Sequence, residues 1–348
     1  MNTAKKEHFF RITALWALSE SMLGGILHGL KIPITGILVG GLAVVYICML
    51  AYYTSSRKDI LTATILVMLI KGLLAPHSPF GAYFAVFFQG AMGWLIFSTV
   101  PSFRFGAILL GLINLLESAL QKLIVTTIVF GQDVWVALDE FVSYVLGQFG
   151  VSNEQYIWTI LAVYLGIYSI AGLFFGWLGG TVPNRIAQYR IKYPDLIFDT
   201  NFIETDEKIN PKKKSRRKKI GKKLIVWIWV ILLILLIMPI FNSDLELLPQ
   251  QRIAQLLIRS FLVIAGWLFI IGPLLMNYFK SWMAKKQSDM SKDISQVLGL
   301  MPETKWIVKE SWNQARNQTK FNQFTYFSKV LLINLFPENE KRNYTNRL

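Results

Sequence analysis

Eight mostly apolar stretches recur along the chain, at roughly 10–30, 34–53, 59–76, 80–99, 104–130, 156–180, 224–241 and 254–279. A helix needs about 20 such residues to cross a bilayer. Hydrocarbon admits only helices and closed barrels, because every backbone polar group must find its partner inside the structure. The sequence therefore reads as all-α: a polytopic helical membrane protein with about eight transmembrane helices. The 348 residues are 53% hydrophobic and 16% charged, against about a quarter charged in a soluble domain. The single cysteine, Cys48, excludes an internal disulfide. The first stretch is long and ends in no small-residue cleavage site, so it reads as a span and not as a cleaved leader.

Lys and Arg in the loops set the orientation. Lys5, Lys6 and Arg11 precede or open the first span, Arg57 and Lys58 follow the second, and Arg104 follows the fourth. Residues 181–223 hold thirteen Lys or Arg, including KKKSRRKK at 212–219. The acidic loop 131–155 carries Asp133, Asp139, Glu140 and Glu154 and no basic residue. Every loop except the turn at Lys31 agrees, which places both termini in the cytoplasm. The net charge of +15 is thus sorted onto one membrane face. With no aromatics among its charges, the run 212–219 points to anionic lipid headgroups and not to nucleic acid. Four parts follow: a six-span unit over 1–180, a basic linker over 181–223, a two-span hairpin over 224–279, and a cytoplasmic amphipathic tail over 280–348.

Ionisable groups inside the spans are costly and so must face protein or a water-filled pocket. Glu20, His28 and Lys31 lie in or at the end of the first span, Lys71 in the third, and Glu117 in the fifth, where Asn114 and Gln121 share its face. An unpaired Lys71 would be expensive, and Glu20 and Glu117 are the carboxylates at hand in these spans, so Lys71 is expected to pair with one of them. Such a pair either fixes helix packing or belongs to a ligand site. His28, Lys31 and His77 fall at the expected outer rim. Together with Gln89 of the fourth span, these residues form the candidate substrate-binding set. Ala17, Ser21, Gly25 and Gly29 repeat small residues every fourth position, a row that lets helix backbones approach. Gly172, Gly176 and Gly180 repeat the pattern.

Among His28, His77, Glu20 and Glu117 no pair stands at an i, i+4 ligand spacing within one helix, so no metal is expected. The G-x-x-x-x-G-K-[ST], H-E-x-x-H, G-x-S-x-G and C-x-x-C motifs are absent. Neither a cofactor nor an enzymatic activity is expected.

ALWALSESMLGGILHGLKIPITG, KGLLAPHSP and ALQKLIVTTIVFG, in a six-span unit with a small-residue first helix, resemble the substrate-binding S component of energy-coupling factor (ECF) transporters. They are more closely similar to a group of bacterial six-span membrane proteins near that family. The resemblance covers about residues 10–180. It implies a bacterial inner-membrane protein that binds a small solute from outside. It also implies that Ala17, Ser21, Gly25 and Gly29 dock on a transmembrane T component, with separate ATPase subunits supplying power. Gln89 departs from the group, where a glutamate would be expected.

The C-terminal tail places Trp306, Trp312, Phe321, Phe324 and Phe327 at helical spacing. It is expected to lie on the membrane interface or to dock on a cytoplasmic partner. Ala315-Arg316 is a faint echo of a T-component coupling motif. The leading expectation is a component of a small-molecule uptake transporter. The alternative is a non-transporting membrane scaffold that recruits partners through its basic linker and tail.

Overall fold

In the computed structural model, residues 3–25, 35–150, 156–198 and 249–336 are described, and among them every regular element is helical. The elements are α1 (Thr3–Leu18), a π turn (Ser19–Leu23), α2 (Thr35–Tyr53), α3 (Lys58–Leu74), α4 (Phe80–Thr99), α5 (Phe103–Phe130), α6 (Asp133–Gly147) and α7 (Ile157–Lys192). After α7 come a 3-10 turn (Pro194–Leu196), α8 (Pro249–Gly266), a second π turn (Trp267–Ile271), α9 (Gly272–Asp289), α10 (Ser291–Ala315) and α11 (Lys320–Leu335).

Five of these segments are long and apolar enough to cross a membrane: Thr35–Tyr53, Phe80–Thr99, Phe103–Phe130, Ile157–Lys192 and Leu257–Asp289. They match five of the eight expected spans. The third expected span is the 17-residue α3, and the first corresponds to α1 with its π turn. The expected span 224–241 and the basic run 212–219 lie outside the described residues, as do His28, Gly29 and Lys31.

The chain divides into two compact units. One takes its described residues from Met1–Ser118, Gly166–Glu204 and Trp282–Leu348, and the other from Ala119–Leu165 and Thr205–Ser281. Segments distant in sequence therefore share a unit, whereas the four expected parts follow one another along the chain.

In the first unit α1 is central. It packs on α2, α3 and α10, and Ile12, Thr13, Ala14, Trp16 and Ala17 are fully buried. Its second half, apart from Arg11 and Thr13, is apolar on every face and so belongs in an interior. α10 packs on α1, α3 and α11 and buries Ile294, Val297, Met301, Thr304, Ile307 and Ser311, a stripe at helical spacing. Arg11 on α1 reaches Glu303 on α10 at 3.0 Å. α11 is tied down in turn: the Asn334 amide accepts from Phe198 N at 2.7 Å and donates to Leu196 O at 2.8 Å. The tail thus packs on the N-terminal helices of its own chain. Phe324 is exposed, and Phe327 meets Trp312 edge to face at 5.4 Å.

α5 and α7 approach backbone to backbone through glycines. A Cβ on Gly172 would stand 2.7 Å from Gly111 O, and one on Gly176 would stand 2.6 Å from Ala107 O. Those distances exclude any side chain, so this small-residue row serves intramolecular packing.

In the second unit, the expected acidic loop 131–155 contains the 15-residue helix α6. Its apolar residues recur at helical spacing, no Gly or Pro interrupts it before Gly147, and Asp133 occupies its first turn, where helix amides favour negative charge. Gly131 and Gly150 bracket it with φ of 81° and 74°, a backbone region that glycine enters without steric cost. Asp139 accepts from Tyr156 N and Ile157 N at 2.7 Å each, satisfying the amides that open α7.

Candidate functional site: a buried ion pair and two carboxamides

Glu20 sits within the π turn Ser19–Leu23, which packs on α2 and α3. A π turn inserts one residue into the helical register and is frequent at functional sites. Ser19, Glu20 and Ser21 are all buried there. Lys71 comes from the last turn of α3, and its Nζ lies 2.8 Å from Glu20 Oε2, with the two side chains 7% and 5% exposed. The partner expected for Lys71 is therefore Glu20. Glu117, half-buried on α5, forms no ion pair among the described residues.

Gln89 and Asn114 are buried on α4 and α5. At one end of the first unit Tyr52 meets Phe103 at 5.5 Å, Phe97 meets Phe103 at 5.4 Å, and Lys5 Nζ donates to Ser55 Oγ at 2.8 Å. That end is a common baseline. At 1.5 Å per residue, Glu20 and Lys71 stand about 20 Å from it, Gly40 likewise, and Gln89 and Asn114 roughly 15 Å.

Gly40 lies beside Gln89: a Cβ there would stand 3.7 Å from Gln89 Nε2 and 3.7 Å from Leu115, the chain neighbour of Asn114. Gln89 and Asn114 are 5% and 1% exposed. Gln89 Oε1, Asn114 Oδ1 and Nδ2, Ser21 Oγ and Trp16 Nε1 are buried with no hydrogen-bond partner among the described residues. Each buried unpaired group costs about 1–3 kcal/mol. The lysine and glutamate satisfy each other, and the amides stand unmet.

The remaining expected residues lie elsewhere. His77 is exposed beyond the end of α3, and Gln121 belongs to the second unit. No cluster of three metal-ligating side chains occurs among the described residues. The π turn splits the small-residue row of the first helix. Ala17 and Ser21 are buried, while a Cβ on Gly25 would meet nothing and Gly24 is the buried glycine, facing Val39.

Three contributors were not legible beforehand: Trp16, Thr64 and Tyr83. Thr64 fills the surface left open by Gly90, and the buried Tyr83 hydroxyl lies 3.7 Å from a Cβ placed on Gly72, next to Lys71. A hydroxyl-bearing residue in an otherwise apolar span is the signal that marks the last two.

No family model, curated protein or solved structure matches this chain.

Proposed function

We propose that the chain is the membrane component of a small-molecule uptake transporter, S-component-like over its first six spans. In this reading about eight helices cross a bacterial inner membrane with both termini in the cytoplasm. A separate T component and ATPase subunits supply the power. The observation that carries it is the buried Glu20–Lys71 pair, with Gln89 Oε1 and the Asn114 carboxamide also buried and unpartnered among the described residues. Intramembrane ionisable groups mark substrate pathways by default. Convergent polar groups in an apolar setting are what a small-molecule site requires.

The scaffold reading needs a tail free to recruit. The packing of α10 on α1 and α3 favours uptake over it.

Mass spectrometry of the detergent-purified protein tests the proposal. A stoichiometric small molecule that is lost in Asn114→Leu, with the fold retained, is the expected result. Protein that carries none after purification from whole-cell and solute-supplemented cultures contradicts it.

A further inference from the structure

A cavity of about 240 Å³ lies in the first unit between α5 and α7, lined by Arg104, Ile108, Trp177, Gly180 and Thr181. Its origin is the glycine contact described above. Where Gly172 and Gly176 press on α5 the helices touch, but at Gly180 a Cβ would still find 3.3 Å to Ala107 and 3.6 Å to Arg104 Cα, so the helices are less tightly pressed. The Arg185 guanidinium lies over the Trp177 ring, 4.8 Å from its centre. This stacking holds a second cation beside the cavity. Neither arginine has a carboxylate partner among the described residues. No acidic residue occurs in 103–116 or 157–192, so the sequence supplies no internal counter-charge from these helix segments. The Thr181 hydroxyl donates to Trp177 O at 3.0 Å. Along the same helices Phe105, Ile170, Leu173 and Phe174 are exposed, an apolar surface leading away from the two cations.

We propose that this cavity is a phosphate-binding site that takes the phosphodiester of an anionic amphiphile. Arg104 and Arg185 hold the phosphate oxygens, and Trp177 and Ile108 receive the first carbons of the molecule. Guanidinium forks match phosphate geometry, and an arginine stacked on tryptophan with apolar surface beneath is suited to a headgroup level. The site shares no residue with the Glu20–Lys71 pair or the two carboxamides and does not depend on transport.

Native mass spectrometry of the full chain in detergent, titrated with phosphatidylglycerol or phosphatidylcholine, is the test. The wild type should retain one phosphatidylglycerol more tightly than phosphatidylcholine. Arg104→Gln/Arg185→Gln should weaken that retention by about tenfold, from the loss of two basic contacts. Neutralising 212–219 should leave this tightest adduct in place. Millimolar inorganic phosphate separates the sources: no competition assigns a lipid, and full competition assigns free phosphate at the same arginines. Equal retention of both lipids, or of phosphatidylglycerol by wild type and double variant, overturns the site. If the double variant fails to fold, Arg104→Gln alone, altering an exposed side chain, carries the comparison.

Discussion

Arg11 and Glu303, separated by 292 positions in the chain, meet at 3.0 Å and join α1 to α10. Arg11 also holds Glu7 at 3.1 Å, one helical turn away. Both side chains of the long-range pair are largely buried, at 12% and 20% exposure, so the contact is screened less than a surface pair. Glu303→Gln should cost about 1–2 kcal/mol, within the range for hydrogen bonds to charged groups. The cost should read out as a lower thermal midpoint in detergent, with the span helices still formed by circular dichroism.

A larger effect follows from removing the helix altogether. Ending the chain after residue 289 removes α10 and α11, with the buried Ile294, Val297, Met301 and Ile307, and uncovers the part of α1 on which α10 packs. Burial of each such side chain is worth about 1.5–3 kcal/mol, and the exposed face invites association. The truncated protein should lose its monodisperse peak in size-exclusion chromatography, where a merely appended tail would leave it unchanged.

His8 adds a pH dependence. It lies ahead of the first apolar stretch, 5.0 Å from the Tyr53 ring and 6.1 Å from Phe336. Phe336 is itself held by Arg190 through its carbonyl. Burial holds the imidazole below its ordinary pKa of 6.5; Arg11 and Arg190 push the same way and Glu7 opposes. The unfolded chain takes up its proton at higher pH than the folded one. Stability is therefore complete above about pH 6.5 and declines as pH falls below it. Thermal midpoints between pH 8 and pH 5 should drop more for wild type than for His8→Phe, and parallel curves would exclude this role.

The glycine contact gives a steric prediction. Gly176→Leu drives a side chain into the Ala107 carbonyl and Ile108 backbone of α5. Overpacking costs typically 1–3 kcal/mol, and more where backbone blocks relief. Expression in the membrane fraction should fall several-fold, whereas Gly25→Leu, which meets nothing, should express normally.

Much of the fold was legible because apolar length is a direct physical demand of hydrocarbon. Thr35–Tyr53 and Phe80–Thr99 fall within a residue or so of the expected spans for that reason. The need of Lys71 for a carboxylate was equally legible, since a buried ammonium leaves few solutions. The choice of Glu20 depended on the π turn, which no residue pattern announces because tertiary burial imposes it. That same turn moved Gly24, and not Gly25, into the interior. Helix α6 was hidden by its acids, which read as a loop although Trp135, Leu138, Phe141, Val142 and Val145 keep a helical period. The stripe on α10 was visible as amphipathic periodicity, but α1, on which α10 packs, lies at the other end of the chain. Local pattern cannot name a partner at that separation.

The central claim is that Glu20 and Lys71 turn inward and match each other's charge. A double-mutant cycle on Glu20 and Lys71 tests it most directly, with thermal unfolding in detergent as the readout. Glu20→Gln and Lys71→Met alone should each cost about 3–5 kcal/mol, by leaving a buried charge unmatched. Glu20→Gln/Lys71→Met together should recover most of that loss. Single variants as stable as wild type, with effects that simply add, would contradict the account.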